Sequence, residues 1–393
     1  MVLLALLLAA GCTAAVPPGE DVAAPGTAGT STVAITVPGR PESFVRAAGT
    51  SFRIDGSDFR FVGVNIYDAA ATDRYSCNAG ARMSDDELRS TLTFLRDTAG
   101  VSVVRFWAYQ TYTQAGTDWT GVDRVIRIAR DLDMRVLPVL EDGPGNCTTS
   151  SDRVPKAKYR GDTWYSTGYR EPYGNASMAY RDYVRVITAH YAAEPTILGW
   201  SMMNEADTSA RDDRGRSVLV SFAQDIAGVI RQVDSNHLIT LGTQGNGAPG
   251  ASGPDFGAVY SLPDLDFSEV HDWGYWGADD EPMPGADSGR PPDPASAACA
   301  VLNAPIACSF AVAPQLGKPL LVGEAGIDGR DATERATRAQ QLGAKMNAAF
   351  AAGAGGYLVW HVNTTMTDGY DILVDRPDPL FGVLHRTAAS IAG

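Results

Sequence analysis

Eight short runs of β-branched and aliphatic residues, separated by helical patterns or by turn-rich connections, limit most what this chain can fold into. They span residues 59–65, 102–107, 135–140, 197–203, 238–242, 267–271, 320–323 and 356–361. Strands that alternate with helices run parallel, because a crossover helix returns the chain to the same edge of the sheet. Eight such units predict an α/β fold of the (β/α)8 TIM-barrel type in a single domain, and a chain of 393 residues accommodates that barrel with insertions. Ser84 followed by Glu87 reads as a capping box opening a helix that runs to about Thr98. Val122, Val125, Ile126 and Ala129 share one face of a second helix over 121–132. Further helices are expected near 175–192, 214–233 and 333–352. Two Gly- and Pro-rich connections, 245–263 and 277–294, show no period and read as long loops after the fifth and sixth strands.

The N-terminal residues read as an address. An apolar run from Val2 to Ala10 is too short to span a bilayer and is followed by Gly11-Cys12. Ala9-Ala10-Gly11-Cys12 resembles the lipobox of bacterial lipoproteins, so residues 1–12 are expected to be a signal, with Cys12 as the residue that such a signal would lipidate. Residues 13–45, rich in Ala, Gly, Pro, Thr and Ser, read as a flexible tether, leaving 46–393 as the folded domain. Without Cys12 an even number of cysteines is left: Cys77, Cys147, Cys299 and Cys308. In an exported chain they suggest two disulfides with three possible connectivities, and proximity favours Cys299–Cys308 with Cys77–Cys147. No CxxC or His-rich spacing points to a metal site, and no cofactor motif is present.

A formal charge of −14 argues against nucleic acid or an anionic membrane surface as the principal partner. It is compatible with a neutral substrate such as a sugar chain, handled by a monomer.

The C-terminal ends of barrel strands line the mouth where chemistry occurs. Here they carry Arg105 and Trp107, Glu141 and Asp142, Asn204 and Glu205, His271 and Trp273, Glu324, and Trp360 with His361. That set holds carboxyls, aromatics and hydrogen-bond donors. Glycoside hydrolysis needs one carboxyl to protonate the leaving oxygen and a second to attack the anomeric carbon. Aromatic faces stack on sugar rings, and polar side chains orient hydroxyls.

Gly199-Trp200-Ser201-Met202-Met203-Asn204-Glu205 resembles the strand-four signature of glycoside hydrolase clan A, and Leu320-Leu321-Val322-Gly323-Glu324-Ala325-Gly326 resembles its strand-seven signature. The likeness covers roughly residues 50–385 and is nearest to glycoside hydrolase family 5, particularly its β-mannanases. It implies a retaining β-glycosidase in which Glu205 is the acid/base and Glu324 the nucleophile. It further implies that Arg105 supports the nucleophile, Asn204 contacts the sugar 2-hydroxyl, His271 lines the site near the acid/base, and Trp360 is the platform under the sugar. A β-1,4-mannan cut internally is the implied substrate. Exo action, another β-glycan or a furanoside, and a non-catalytic carbohydrate-binding lipoprotein are the alternatives.

The family carries His-x-Tyr on strand six, whereas this chain has Trp273 in that position and Tyr275 two residues on. Either Tyr275 reaches the nucleophile or that contact is missing. Trp107, Trp273, Trp276 and Tyr109 are each as consistent with packing as with a sugar subsite. Glu141 reads equally as a grip on a hydroxyl or as a buried ion-pair partner.

Overall fold

The computed structural model describes residues 43–78, 82–145, 147, 161–173, 176–244, 247–273 and 292–392. Cys12, Tyr275 and Trp276, with the expected signal, most of the expected tether and most of the 277–294 connection, lie outside the described residues.

Eight parallel strands form the barrel: β1 (Phe61–Asn65), β2 (Val103–Trp107), β3 (Arg135–Val139), β4 (Gly199–Ser201), β5 (Leu238–Thr240), β6 (Ser268–Asp272), β7 (Leu320–Ala325) and β8 (Ala354–Val359). They hydrogen-bond in the order β5-β4-β3-β2-β1-β8-β7-β6. The remaining seam is joined by backbone bonds from Asp266 N to Ile239 O (2.8 Å) and from His271 N to Gln244 O (3.0 Å). These two bonds bring the end strands of the sheet together and close the ring.

The helices that follow these strands are α1 (Asp85–Ala99), α2 (Thr120–Asp131), α3 (Tyr180–His190), α4 (Val218–Arg231), α5 (Pro254–Tyr260), α6 (Ile306–Val312), α7 (Ala332–Ala351) and α8 (Pro379–Ile391). The capping box at Ser84 is formed, and Asp331 with Glu334 makes a second one at α7. Each satisfies backbone N–H groups that a helix start leaves open. α8 packs on α7 and on α1, with Phe381 edge-on to Phe94 at 5.0 Å, closing the helical layer.

Three of these eight helices escape the sequence reading. α5 lies inside the 245–263 connection, begun by Pro254 at a position where a missing N–H costs nothing. At seven residues, α5 and α6 are too short to show a 3.6-residue period. α8 falls beyond the last recognised strand. The expected tether also ends early. Val45 is 1% exposed and Phe44 packs edge-on against His237 at 5.1 Å, so the packed chain begins before residue 46.

One apolar side chain from each barrel unit fills the floor: Phe61, Val103, Leu137, Leu198, Leu238, Phe267, Leu321 and Leu358. A small antiparallel sheet (Arg46–Ala48, Ser51–Ile54, Ser57–Asp58) covers it, with Phe52 meeting Phe61 at 5.6 Å and Phe267 at 5.3 Å. Burying each such side chain contributes about 1.5–3 kcal/mol. The floor is therefore apolar and solid, and the carboxyls and guanidinium of the site gather at the opposite end.

The structure pairs Cys77 with Cys147 and Cys299 with Cys308, each with Cα atoms 5.4 Å apart. Peptide mapping without reduction, on protein folded in an oxidising compartment, is expected to recover both pairs. Replacing Cys77 and Cys147 together with serine should lower the unfolding free energy by about 2–4 kcal/mol in chemical denaturation.

Candidate active site

Side chains alternate along a strand, so Val103, Arg105 and Trp107 share one face of β2, and Glu269 and His271 share one face of β6. Arg105 is fully buried. Its Nη1 donates to Glu324 Oε1 at the end of β7 (2.5 Å) and to Asn65 Oδ1 on β1 (3.0 Å). Its Nη2 donates to Asn204 Oδ1 beyond β4 (2.9 Å), and its Nε lies 3.3 Å from Glu269 Oε1. A rigid planar guanidinium with five donors suits this four-way role, which an ammonium cannot fill.

The loop after β3 and the turn after β4 hold the next pair. Asn204 Nδ2 donates to Asp142 Oδ1 (3.0 Å), and Asp142 Oδ2 accepts from Cys147 N (3.0 Å). Gly143 runs directly against this turn. A Cβ there would meet Glu205 O at 2.6 Å and Asn204 O at 2.7 Å, so a side chain is excluded. Glu205 itself has φ +52°, an uncommon left-handed conformation for a residue with a Cβ, costing on the order of 1–3 kcal/mol. Backbone bonds on both sides hold it: Asn204 N donates to Glu141 O (2.6 Å) and Ala206 N to Gly242 O (2.9 Å).

His271 Nδ1 lies 3.0 Å from Glu205 Oε1 and 3.5 Å from Glu324 Oε2. Its Nε2 lies 3.5 Å from Glu269 Oε1. Trp273 Nε1 donates to Glu324 Oε2 at 3.3 Å. An indole N–H thus faces the carboxylate from the position where the family pattern has a tyrosine. Gly326 makes room for it, since a Cβ there would come within 2.3 Å of the Trp273 ring.

Of the sequence-derived site residues, Arg105, Asn204, Glu205, His271, Trp273 and Glu324 converge on one another. Trp360 joins them through Trp273, their ring centroids 5.9 Å apart. Trp360 is half-buried and keeps part of its surface open, while Trp107 is 5% exposed and packs between Tyr67 (4.6 Å) and Tyr109 (5.3 Å). The likeness to known patterns did not single out Asn65, Tyr67, Asp142 or Glu269. Glu269 was detectable, because it stands two residues before His271 and so shares its inward face. Tyr67, stacked on Trp360 at 5.5 Å and 15°, lies just past a strand end and carried no such signal.

The charges interact strongly. Burial lowers the pKa of His271, but Glu324, Glu205 and Glu269 outweigh it and push the value up to about 9. Burial raises Glu269, yet His271, Arg105 and Ser201 bring it below its ordinary value. Burial raises Glu324, with His271 and Arg105 acting against the rise and Glu205 adding to it. Asp142 is raised to about 6, chiefly by burial.

Glu205, His271 and Glu324 each offer one atom within 4.8 Å of the others, spacing that a metal ion could use. The donors present do not suit one. The Arg105 guanidinium and the Trp273 N–H already address both Glu324 oxygens, and Arg105 would repel a cation placed there.

A family model described as GH family 5 beta-mannosidase-like matches residues 164–355, a span that holds Asn204, Glu205, His271 and Glu324. Over residues 164–355 the chain matches glycoside hydrolase family 5. The chain is 25% identical over 262 residues to mannan endo-1,4-beta-mannosidase A of Hypocrea jecorina, covering 59% of the chain and 55% of that protein. It is 23% identical over 265 residues to mannan endo-1,4-beta-mannosidase A of Podospora anserina, covering 59% and 65%. The chain spans 55–66% of the length of the first curated relatives it matches. Its fold is similar to the crystal structure of the endo-1,4-beta-mannanase from Rhizomucor miehei, with a TM-score of 0.66 at 19% identity, covering 89% of this chain and 99% of that one.

Replacing Arg105 with Met leaves Glu324 and Glu269 buried without their shared cation. Denaturation should report a loss of about 3–5 kcal/mol, the usual consequence of removing one partner from a buried ion pair. His271 supplies a pH signature. Its folded pKa lies above the ordinary 6.5, so the native state holds the proton more tightly than the unfolded chain does. The resulting stabilisation is complete below about pH 6.5 and is lost as pH rises through 9. Unfolding free energies at pH 6, 7.5 and 9 should fall in that order, and His271→Gln should flatten the trend.

Proposed function

We propose that this chain is a retaining β-glycoside hydrolase acting within β-1,4-linked mannan, with Glu324 as nucleophile and Glu205 as acid/base. The observation that carries the reading is the pair of carboxyls at the mouth, one approached by Arg105 and Trp273 and the other by His271. An oxygen of each lies within 4.8 Å of the other. Direct attack on the sugar needs carboxyls about 5–5.5 Å apart, whereas a water-mediated inversion needs about 6.5–9.5 Å.

In the first step a Glu324 oxygen attacks the anomeric carbon while the bond to the leaving oxygen breaks, and Glu205 gives that oxygen its proton. The product is a glycosyl ester on Glu324 and an ionised Glu205. In the second step Glu205 takes a proton from water, whose oxygen attacks the same carbon and frees Glu324. The raised basicity of Glu324 favours attack, and Arg105 keeps the carboxylate aimed at it. Asn204 spends Oδ1 on Arg105 and one N–H on Asp142, which leaves its second N–H for the sugar 2-hydroxyl. Trp360 offers a half-open aromatic face beneath the ring. The family model and the names of the relatives support mannan as the polymer. The apolar run before Gly11-Cys12 and the two disulfides support export to an oxidising compartment, with Cys12 as the lipid attachment point.

The purified protein should release internal oligosaccharides from mannan and glucomannan. Products from cellulose or xylan alone would reassign the polymer. Cleavage of aryl monoglycosides alone would mean exo action, and no turnover on any of them would leave a carbohydrate-binding module. With an activated aryl glycoside, Glu205→Ala should form the ester and stall, and azide should restore turnover with a β-azide product. Glu324→Ala should give at most the α-azide. Swapped anomers would reverse the two assignments.

A further inference from the structure

The site contains more charge than two-carboxyl chemistry requires. Glu269 is completely buried, lies behind Arg105 and His271, and forms no part of the reacting pair. Its Oε2 accepts from Ser201 Oγ at 2.8 Å. Its Oε1 meets Arg105 Nε at 3.3 Å and His271 Nε2 at 3.5 Å, and none of these three atoms has a hydrogen-bond partner elsewhere. The backbone is shaped around this carboxylate. A Cβ on Gly323, the residue before Glu324, would lie 2.2 Å from Glu269 Oε1, so glycine there is what admits the charge. A buried carboxylate is expensive to keep ionised unless it is paired, and a site with no use for it is better served by an apolar group.

We propose that Glu269 is a positioning residue that holds His271 as an imidazolium with Nδ1–H directed at Glu205, keeping the buried cluster electrically neutral through both halves of the reaction. The proposal rests on the hydrolase reading given above.

The geometry of the ring requires two protons. Nε2 faces Glu269, and Nδ1 faces Glu205 and Glu324, so both nitrogens look onto carboxyl oxygens. A neutral imidazole has one N–H: spent on Glu269, it would leave an Nδ1 lone pair against ionised Glu324 in the free enzyme and against ionised Glu205 after the first step. The groups facing His271 are Arg105 from β2, Glu205 after β4, Glu324 from β7 and Glu269 on its own strand. In the free enzyme Arg105 and the imidazolium contribute two positive charges, ionised Glu269 and Glu324 contribute two negative ones, and protonated Glu205 contributes none. After the first step Glu324 is a neutral ester and Glu205 is ionised. The sum is again zero. His271 thus donates to one Glu205 oxygen in both states, leaving the other oxygen to give a proton to the leaving group and later to take one from water. Without Glu269 the same cluster would carry an excess positive charge in both states, favouring early loss of the His271 proton.

The test is the titration of His271 followed by 15N NMR, alongside the pH dependence of kcat/KM on an aryl glycoside. In the wild type the His271 midpoint should lie near pH 9 with both ring nitrogens protonated at neutral pH. In Glu269→Gln, which keeps the volume and removes the charge, that midpoint should fall by about 1–3 units, the usual effect of losing a nearby opposite charge. The basic limb of kcat/KM should move to lower pH with it. Glu269→Asp, which keeps the charge, should hold the midpoint above the ordinary histidine value. A wild-type midpoint at or below 6.5, or an E269Q variant with both midpoint and limb unmoved, overturns the proposal. A slower E269Q enzyme with unshifted limbs shows a merely structural residue and also overturns it. Should E269Q fail to fold, the wild-type midpoint and E269D decide. A wild-type protein inactive on every glycoside with His271 titrating near 9 would refute the hydrolase reading and not the charge arrangement, so the two failures are separable.

Discussion

The Arg105 guanidinium is the constraint on which the site depends. It reaches Asn65 on β1, Asn204 beyond β4, Glu269 on β6 and Glu324 on β7, tying four parts of one barrel mouth to a single plane of donors. Each acceptor is then fixed from its other side. Asn65 Nδ2 donates to Gly323 O at 2.9 Å, Asn204 donates to Asp142, Glu269 accepts from Ser201, and Glu324 accepts from Trp273. A buried cation whose three nitrogens all face acceptors costs little to keep only while those acceptors stay put. The barrel supplies that rigidity by setting its strand ends on a packed apolar floor.

Glycines mark where loops and side chains are pressed against this frame. Gly143 lets the β3 loop lie on the Asn204–Glu205 backbone, Gly323 admits the Glu269 carboxylate, and Gly326 admits the Trp273 indole. The Cys77–Cys147 bridge joins two loops whose backbone N–H groups hold buried carboxylates. Cys77 N donates to Asp68 Oδ1 at 3.1 Å and Cys147 N to Asp142 Oδ2 at 3.0 Å. Because Asp142 holds Asn204, the bridge stands three hydrogen bonds away from Arg105. It restrains the orientation of the site as well as the unfolded chain.

Much of this was legible from the residues in order. Short β-branched and aliphatic runs alternating with helical patterns specify a parallel sheet buried on both faces, and eight such units match the count of a barrel. The ends of those strands specify where polar residues can gather. Arg105, Asn204, Glu205, His271 and Glu324 could be named for that reason. Trp273 was legible as a departure from the family pattern, but its N–H on Glu324 was not. The side chain's direction depends on Gly326, a residue more than 50 positions away. The short helices α5 and α6 were illegible because seven residues hold less than two turns, too few for a period to show.

The sequence by itself determined the strand count, the parallel barrel and the identity of the carboxyls at its mouth, since local periodicity and residue chemistry suffice for each. The tertiary structure alone decided how those groups share charge. Glu269 and Arg105 are 164 positions apart, and whether a buried carboxylate is paired or isolated depends on distances of a few ångströms across the barrel. Coulomb interaction and desolvation act through space, not along the chain. The left-handed backbone of Glu205 and the two-sided grip on His271 likewise arise only when neighbouring strands close against one another.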